Sequence, residues 1–154
     1  MAETTAEFRT AEASAPGVPW SRVELLRTGW TVAERHWPLG TGWASYPHVF
    51  SGVALERNRQ ALEASGQVSV NPHDEYVLQL GAGGLPALLL FVIWLVTPVV
   101  VGTRRGAGPW GGAMACIAVA FAVDAALNSV LLDFTEAHVY AALLAWLLAQ
   151  QPEA

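Results

Sequence analysis

The run LPALLLFVIWLVTPVVV, residues 85 to 101, carries no charge and leaves few folds open to this chain. A spanning helix takes roughly 20 predominantly apolar residues. The segment from about Tyr76 to Val101 meets that length, and so does a second from about Trp110 to Leu132. A third, about Ala137 to Ala149, is shorter and reads as a packed, tilted or partial span. Pro86 and Pro98 should kink the first helix or mark where its ends fray. Composition agrees. The chain is 53% hydrophobic and only 14% charged, against roughly 25% charged in ordinary soluble domains. The expected fold is an all-α membrane protein with about three C-terminal transmembrane helices, at 76–101, 110–132 and 137–150. A loop region with short amphipathic helices, 18–75, precedes them, and a disordered leader, 1–17, opens the chain.

The short loop TRRGAG, residues 103 to 108, sets the expected orientation. Arg104 and Arg105 make it cytoplasmic by the positive-inside rule. The polar region before the first span, and the DFTEAH link at 133 to 138, then lie on the periplasmic or extracellular side. Residues 1 to 17 contain no hydrophobic signal core. Either the first hydrophobic helix inserts with its N-terminus outward, or the chain is the back end of a larger polytopic protein, which is the favoured reading. Its formal net charge of -5 and lack of a basic cluster argue against nucleic acid as a partner. All eight basic residues are arginines, which keep their charge and grip phosphate with a two-pronged fork. Cys116 is the only cysteine, so neither an internal disulfide nor a cysteine-based zinc site is expected.

Ser21 and Glu24 have the spacing of a capping box, and a helix should run from there to about His36. Val23, Leu26, Trp30, Ala33 and Trp37 recur at helical spacing as one apolar stripe. Arg27, Thr31, Glu34 and Arg35 lie away from it. Such a stripe suits either a helix on the bilayer surface or packing against the rest of the protein. WPLGTGWASYPHVF, residues 37 to 50, reads as an ordered loop because so many rings need burial. A short polar helix should follow over 53 to 64.

The hexapeptide NPHDEY, residues 71 to 76, opens the first span. Asn71 is a good N-cap and Pro72 is favoured at the first helical position. Asp74 and Glu75 suit the positive end of the helix dipole. His73 then belongs to the first turn, where the dipole favours a neutral imidazole able to act as a base. The same helix end favours a bound phosphate.

The order of these features resembles a known family. SRVELLRTGW is followed by AERHWPLGTGWASY, then by NPHDEYVLQLGAGGLPALLLFVIWL, a basic turn, an apolar helix ending NSVLLDF and a last apolar helix. This series is similar to the C-terminal part of the O-antigen ligase and polymerase family of bacterial membrane glycosyltransferases. The similarity runs over about residues 20 to 150 and over only the last third of a family member. It implies transfer of a glycan from a polyprenyl-diphosphate carrier to a hydroxyl of a lipid A core sugar or a growing glycan. The place would be the outer face of the inner membrane, with no metal, nucleotide or other cofactor. By the same resemblance His73 is the general base or acceptor-positioning residue, and Arg22 the best match for a diphosphate ligand. Arg27 and Arg35 are further diphosphate candidates that no motif fixes. Three departures stand out: Asp74 replaces the usual Asn, Trp37 splits the usual His-Pro pair, and GAGG at 81 to 84 lacks the usual Glu. They leave room for an alternative, a catalytically inactive membrane fragment or a binding partner of a glycan-export complex. Asp74 is a candidate supporting residue. So are Asp124 and Asn128, expected one turn apart inside the second span, where an ionisable group marks a functional position or a buried polar contact. Asp133 and Glu136 are expected in a solvated turn.

Overall fold

The computed structural model describes residues 21–65, 70–104, 108–132 and 134–150. Those residues form five helices in chain order: α1 (Arg22–Arg35), α2 (Tyr46–Ser65), α3 (Glu75–Gly102), α4 (Gly108–Ala125) and α5 (Phe134–Ala149). Among the described residues there is no strand. Two helices, α3 and α4, are long and apolar enough to cross a membrane; α5 is apolar but shorter. The expected leader lies outside the described residues.

Local chemistry starts α1 where the sequence suggests. The Ser21 hydroxyl accepts the Glu24 N–H at 3.3 Å, half of the capping box. The other half is absent, because the Glu24 carboxylate turns to Arg57 Nε at 2.7 Å and ties α1 to α2. The buried face of α1 is Leu25, Thr28, Gly29, Val32 and Ala33. This corrects the expected stripe, of which Ala33 is buried but Val23, Trp30 and Trp37 are 53–60% exposed. Gly29 permits the closest packing: a Cβ there would lie 2.6 Å from Val77 Cγ1 and 2.9 Å from Pro72 Cβ. The second helix begins at Tyr46, well before the expected start, so the aromatic loop shortens to residues 37–45.

The main departure from expectation is the shape of α3. It is interrupted at Gly84, whose φ of 70° and ψ of -164° are not helical. Residues 76 and 91 would stand about 22 Å apart along a straight helix. Their rings instead meet edge to face with centroids 5.3 Å apart. Hence α3 is two arms set at a steep angle, Glu75 to Gly83 and Leu85 to Gly102. The break is at Gly84 rather than Pro86, which follows it inside the first turn of the second arm. Pro98 sits within that arm.

Bending a helix frees backbone groups, and here three of them are taken up by the loop after α1. Thr41 N–H donates to Gly81 O at 2.9 Å and Gly42 N–H to Ala82 O at 2.8 Å. In the other direction Leu85 N–H donates to Pro38 O at 2.8 Å. The loop is thus a clasp on the break, and the peptide between Trp37 and Pro38 in it is cis.

The break also divides the interior. Leu25, Val32, Tyr46, Phe50, Val53, Leu78 and Ala82 form one core, from α1, α2 and the first arm. Phe91, Leu95, Ala118, Phe121, Ala125, Val130 and Tyr140 form another, from the second arm, α4, the turn after it and α5. Aromatic contacts dominate the second: Phe121 stacks on Tyr140 at 3.9 Å, and Trp94 meets Tyr140 edge-on at 4.9 Å. At about 1.5 Å per residue the second arm is about 27 Å long, close to the roughly 30 Å of a bilayer's hydrocarbon core.

Candidate functional site

The candidate site is the corner where residues 71–75 enter the first arm. Asn71 does not cap the helix, as its residue type suggests. Its side-chain oxygen accepts the His73 N–H at 2.9 Å, forming an Asx turn. Pro72 is fully buried against Gly29. Asp74 is the N-cap instead, its Oδ1 accepting the Val77 N–H at 2.9 Å. The helix therefore starts later than the sequence implies, and His73 precedes the cap.

His73 is exposed and holds a left-handed backbone, φ 51°. Histidine is among the residues that tolerate that region. The imidazole is exposed in the turn that precedes the helix. A second consequence follows from the cap. The Asp74 carboxylate already occupies the first N–H groups of the arm, so an incoming phosphate meets that charge. Anion binding at this corner has to rely on a cation.

Arg22 supplies one. It is exposed at the start of α1, and its charge acts on Asp74 across the α1–α3 contact. Burial pushes the Asp74 carboxyl above the usual carboxylate range. Hydrogen bonds from the Val77 and Tyr76 N–H groups, and then the Arg22 charge, oppose that rise without cancelling it. Beneath them lies Tyr46, whose phenol is pushed up by its own burial and by the Asp74 charge. Its hydroxyl is buried with no hydrogen-bond partner among the described residues.

The other arginines part company. Arg35 Nη1 pairs with Glu56 Oε2 at 2.8 Å on the edge of α1 that faces α2. Arg27 is exposed and five positions from Arg22, which turns it roughly 140° around the helix. The structure does not gather the three into one cluster.

Glu75, expected as a partner of the helix dipole, is completely buried. Its Oε1 accepts Gln79 Nε2 at 2.7 Å and its Oε2 accepts the Leu131 N–H at 3.1 Å. Ser129 Oγ reaches Asn71 Oδ1 at 3.4 Å, and Tyr76 OH donates to Ala122 O at 2.9 Å. These contacts fasten the corner to the end of α4. Sequence reasoning missed Glu75, Ser129 and Tyr46. The i, i+4 spacing of Glu75 and Gln79 was the one local signal for the first.

Asp124 lies inside the second candidate span, as expected, but Asn128 does not. Asp124 is in the last turn of α4, and Asn128 is beyond its end, where its side-chain oxygen accepts the Ser129 N–H at 2.9 Å. The turn at 126–132 cuts α4 short of the expected Leu132. Asn128 thus stands beside the Asn71 corner through Ser129. Asp124 faces α5 instead, across a cavity of about 500 Å³ also lined by Thr135, Glu136 and Tyr140. Glu136 is in the first turn of α5 rather than in a solvated link, and Asp133 lies outside the described residues.

Below the corner an apolar groove of about 540 Å³ runs between the second arm and α4, from Tyr76 and Leu127 past Val92 and Val96 to Val99. No three His, Cys, Asp or Glu side chains among the described residues are placed to hold a metal ion. No family model, curated protein or solved structure matches this chain. The chemistry of the corner therefore rests on its own geometry: an exposed imidazole, an arginine whose charge acts on the capping carboxylate, and an apolar groove.

Proposed function

We propose that this chain is the C-terminal segment of an O-antigen ligase-like glycosyltransferase. Its reaction moves a glycan from a polyprenyl-diphosphate carrier to an acceptor hydroxyl of a lipid A core sugar or growing glycan. Three passes, α3, α4 and α5, sit in the bacterial inner membrane, with the His73 corner at its outer face and Arg104 and Arg105 inside. The observation that carries the reading is the clasp. The two stretches that resemble the family's motifs, HWPLGTG and GAGGLP, are bonded to each other at the helix break, so they act as one unit supporting one corner.

In the proposed step the acceptor oxygen attacks the anomeric carbon. The bond from that carbon to the diphosphate oxygen breaks, and both electrons leave with the lipid diphosphate. The acceptor proton passes to the His73 ring. The Arg22 guanidinium offsets charge on the departing diphosphate, and the lipid tail stays in the groove between the second arm and α4.

The test is substitution in the complete protein, read as the lipopolysaccharide ladder and as transfer rate in membranes. A general base contributes about 10²–10⁴-fold, so His73→Ala and Arg22→Ala should abolish the ladder. Arg35→Ala, which breaks only the pair with Glu56, should leave it near wild type. Full activity of either His73→Ala or Arg22→Ala would overturn the assignment. A second reading, an inactive fragment or binding partner of a glycan-export complex, is favoured by Asp74 holding the helix end that a diphosphate would use. Restoration of the ladder in a ligase-null strain by this chain alone would end it.

A further inference from the structure

The clasp loop holds the helix break by its backbone, while its large apolar side chains stay largely exposed. Trp37, Leu39 and Trp43 are 60%, 72% and 49% exposed, and Trp30, in the second half of α1, is exposed at 53%. Large apolar side chains do not stand in water at this density without a partner surface.

We propose that residues 37–43, with Trp30, form a wedge that enters the outer lipid leaflet and fixes the depth of the His73 corner above it. This rests on the membrane placement proposed above. Three observations name lipid as the occupant. The segment from Trp37 to Ser45 contains no charged residue. Its height is set by the hydrogen bonds to Gly81, Ala82 and Leu85, which hold it level with the start of the second arm. The first turns of that arm carry Leu89, Leu90 and Ile93, which are themselves 52%, 68% and 59% exposed. Indoles are the side chains enriched at that depth, with an apolar ring and one polar N–H. Trp30 satisfies its own N–H on Glu34 Oε1 at 2.7 Å, which leaves the ring face free.

The experiment is spin-label accessibility of the full chain in phosphatidylethanolamine–phosphatidylglycerol vesicles. A Cys116→Ala background removes the exposed native thiol. Labels go on Leu39→Cys, on Trp43→Cys as a second wedge position, on Ile93→Cys as a membrane reference and on Arg59→Cys as a water reference. The wedge positions should favour oxygen over a water-soluble nickel complex several-fold relative to Arg59→Cys, at a depth shallower than Ile93→Cys. An apolar Ile93 label with nickel-accessible wedge labels would overturn the wedge and leave the membrane placement standing. Wedge labels shielded from both reagents would also overturn it, by showing that protein covers the loop. A nickel-accessible Ile93 label would defeat the membrane placement itself, and the wedge with it.

Discussion

Gly84 is the residue on which the architecture turns. Its φ and ψ fall in a region almost reserved for glycine, and an added Cβ would run into Pro38 O and the Leu39 backbone. Gly84→Ala should lower stability by about 3 kcal/mol or more, combining roughly 1–3 for the backbone and roughly 1–3 for overpacking. The comparison is Gly112→Ala, where a Cβ meets nothing within 4 Å. Thermal unfolding of both in one detergent measures the difference. Asp74 makes a different prediction. Its folded carboxyl binds a proton more readily than the unfolded one does, because burial raises its pKa. Stability should therefore fall as pH rises through the window that opens at the ordinary aspartate value of about 3.9. Asp74→Asn keeps a capping oxygen and should remove that step from a plot of melting temperature against pH; an unchanged slope would locate it elsewhere. At this scale the sequence was half legible. His73 and Arg22 were named from motif position and their roles are for the substitutions above to decide; the structure does put Asp74 within reach of the Arg22 charge. Glu75 was not found, because its burial depends on Leu131, a residue distant in the chain whose approach no local pattern encodes.

Elements were legible where periodicity or a cap speaks, and illegible where tertiary bonds decide. The start of α1 follows from Ser21, and the two long apolar segments follow from composition. The break in α3 follows from neither alone. GAGG offers a permissive site, but only the loop at 38–42 makes the bend affordable by saturating three of the freed groups. The proline two positions later drew attention to the wrong residue. The buried link between the first arm and the α4 turn is the Glu75 side chain, beside the Tyr76–Ala122 and Asn71–Ser129 contacts. Glu75→Ala would leave Gln79 Nε2 and the Leu131 N–H buried without an acceptor, at roughly 1–3 kcal/mol each. A loss of about 3 kcal/mol is expected in chemical unfolding, with a smaller loss for Glu75→Gln, which keeps one acceptor. Equal losses would mean that shape rather than hydrogen bonding holds the join.

At the scale of the molecule, two cores share one bent helix and little else. Damage to one should stay local. Phe50→Ala, at a fully buried position, should cost about 3–5 kcal/mol in the first core. Hydrogen exchange should then rise over 21–65 and the first arm while 85–149 keeps its protection; a rise across both would show one cooperative unit. The clasp also bears on the order of assembly. Residues 38–42 leave the ribosome before residues 81–85, so the groups that complete the break are already made when it emerges. A nascent chain that fails to clasp leaves the carbonyls of Gly81 and Ala82 and the N–H of Leu85 without these partners, at several kcal/mol apiece wherever water is excluded. Such a chain advertises its own misassembly to the proteases that survey a membrane.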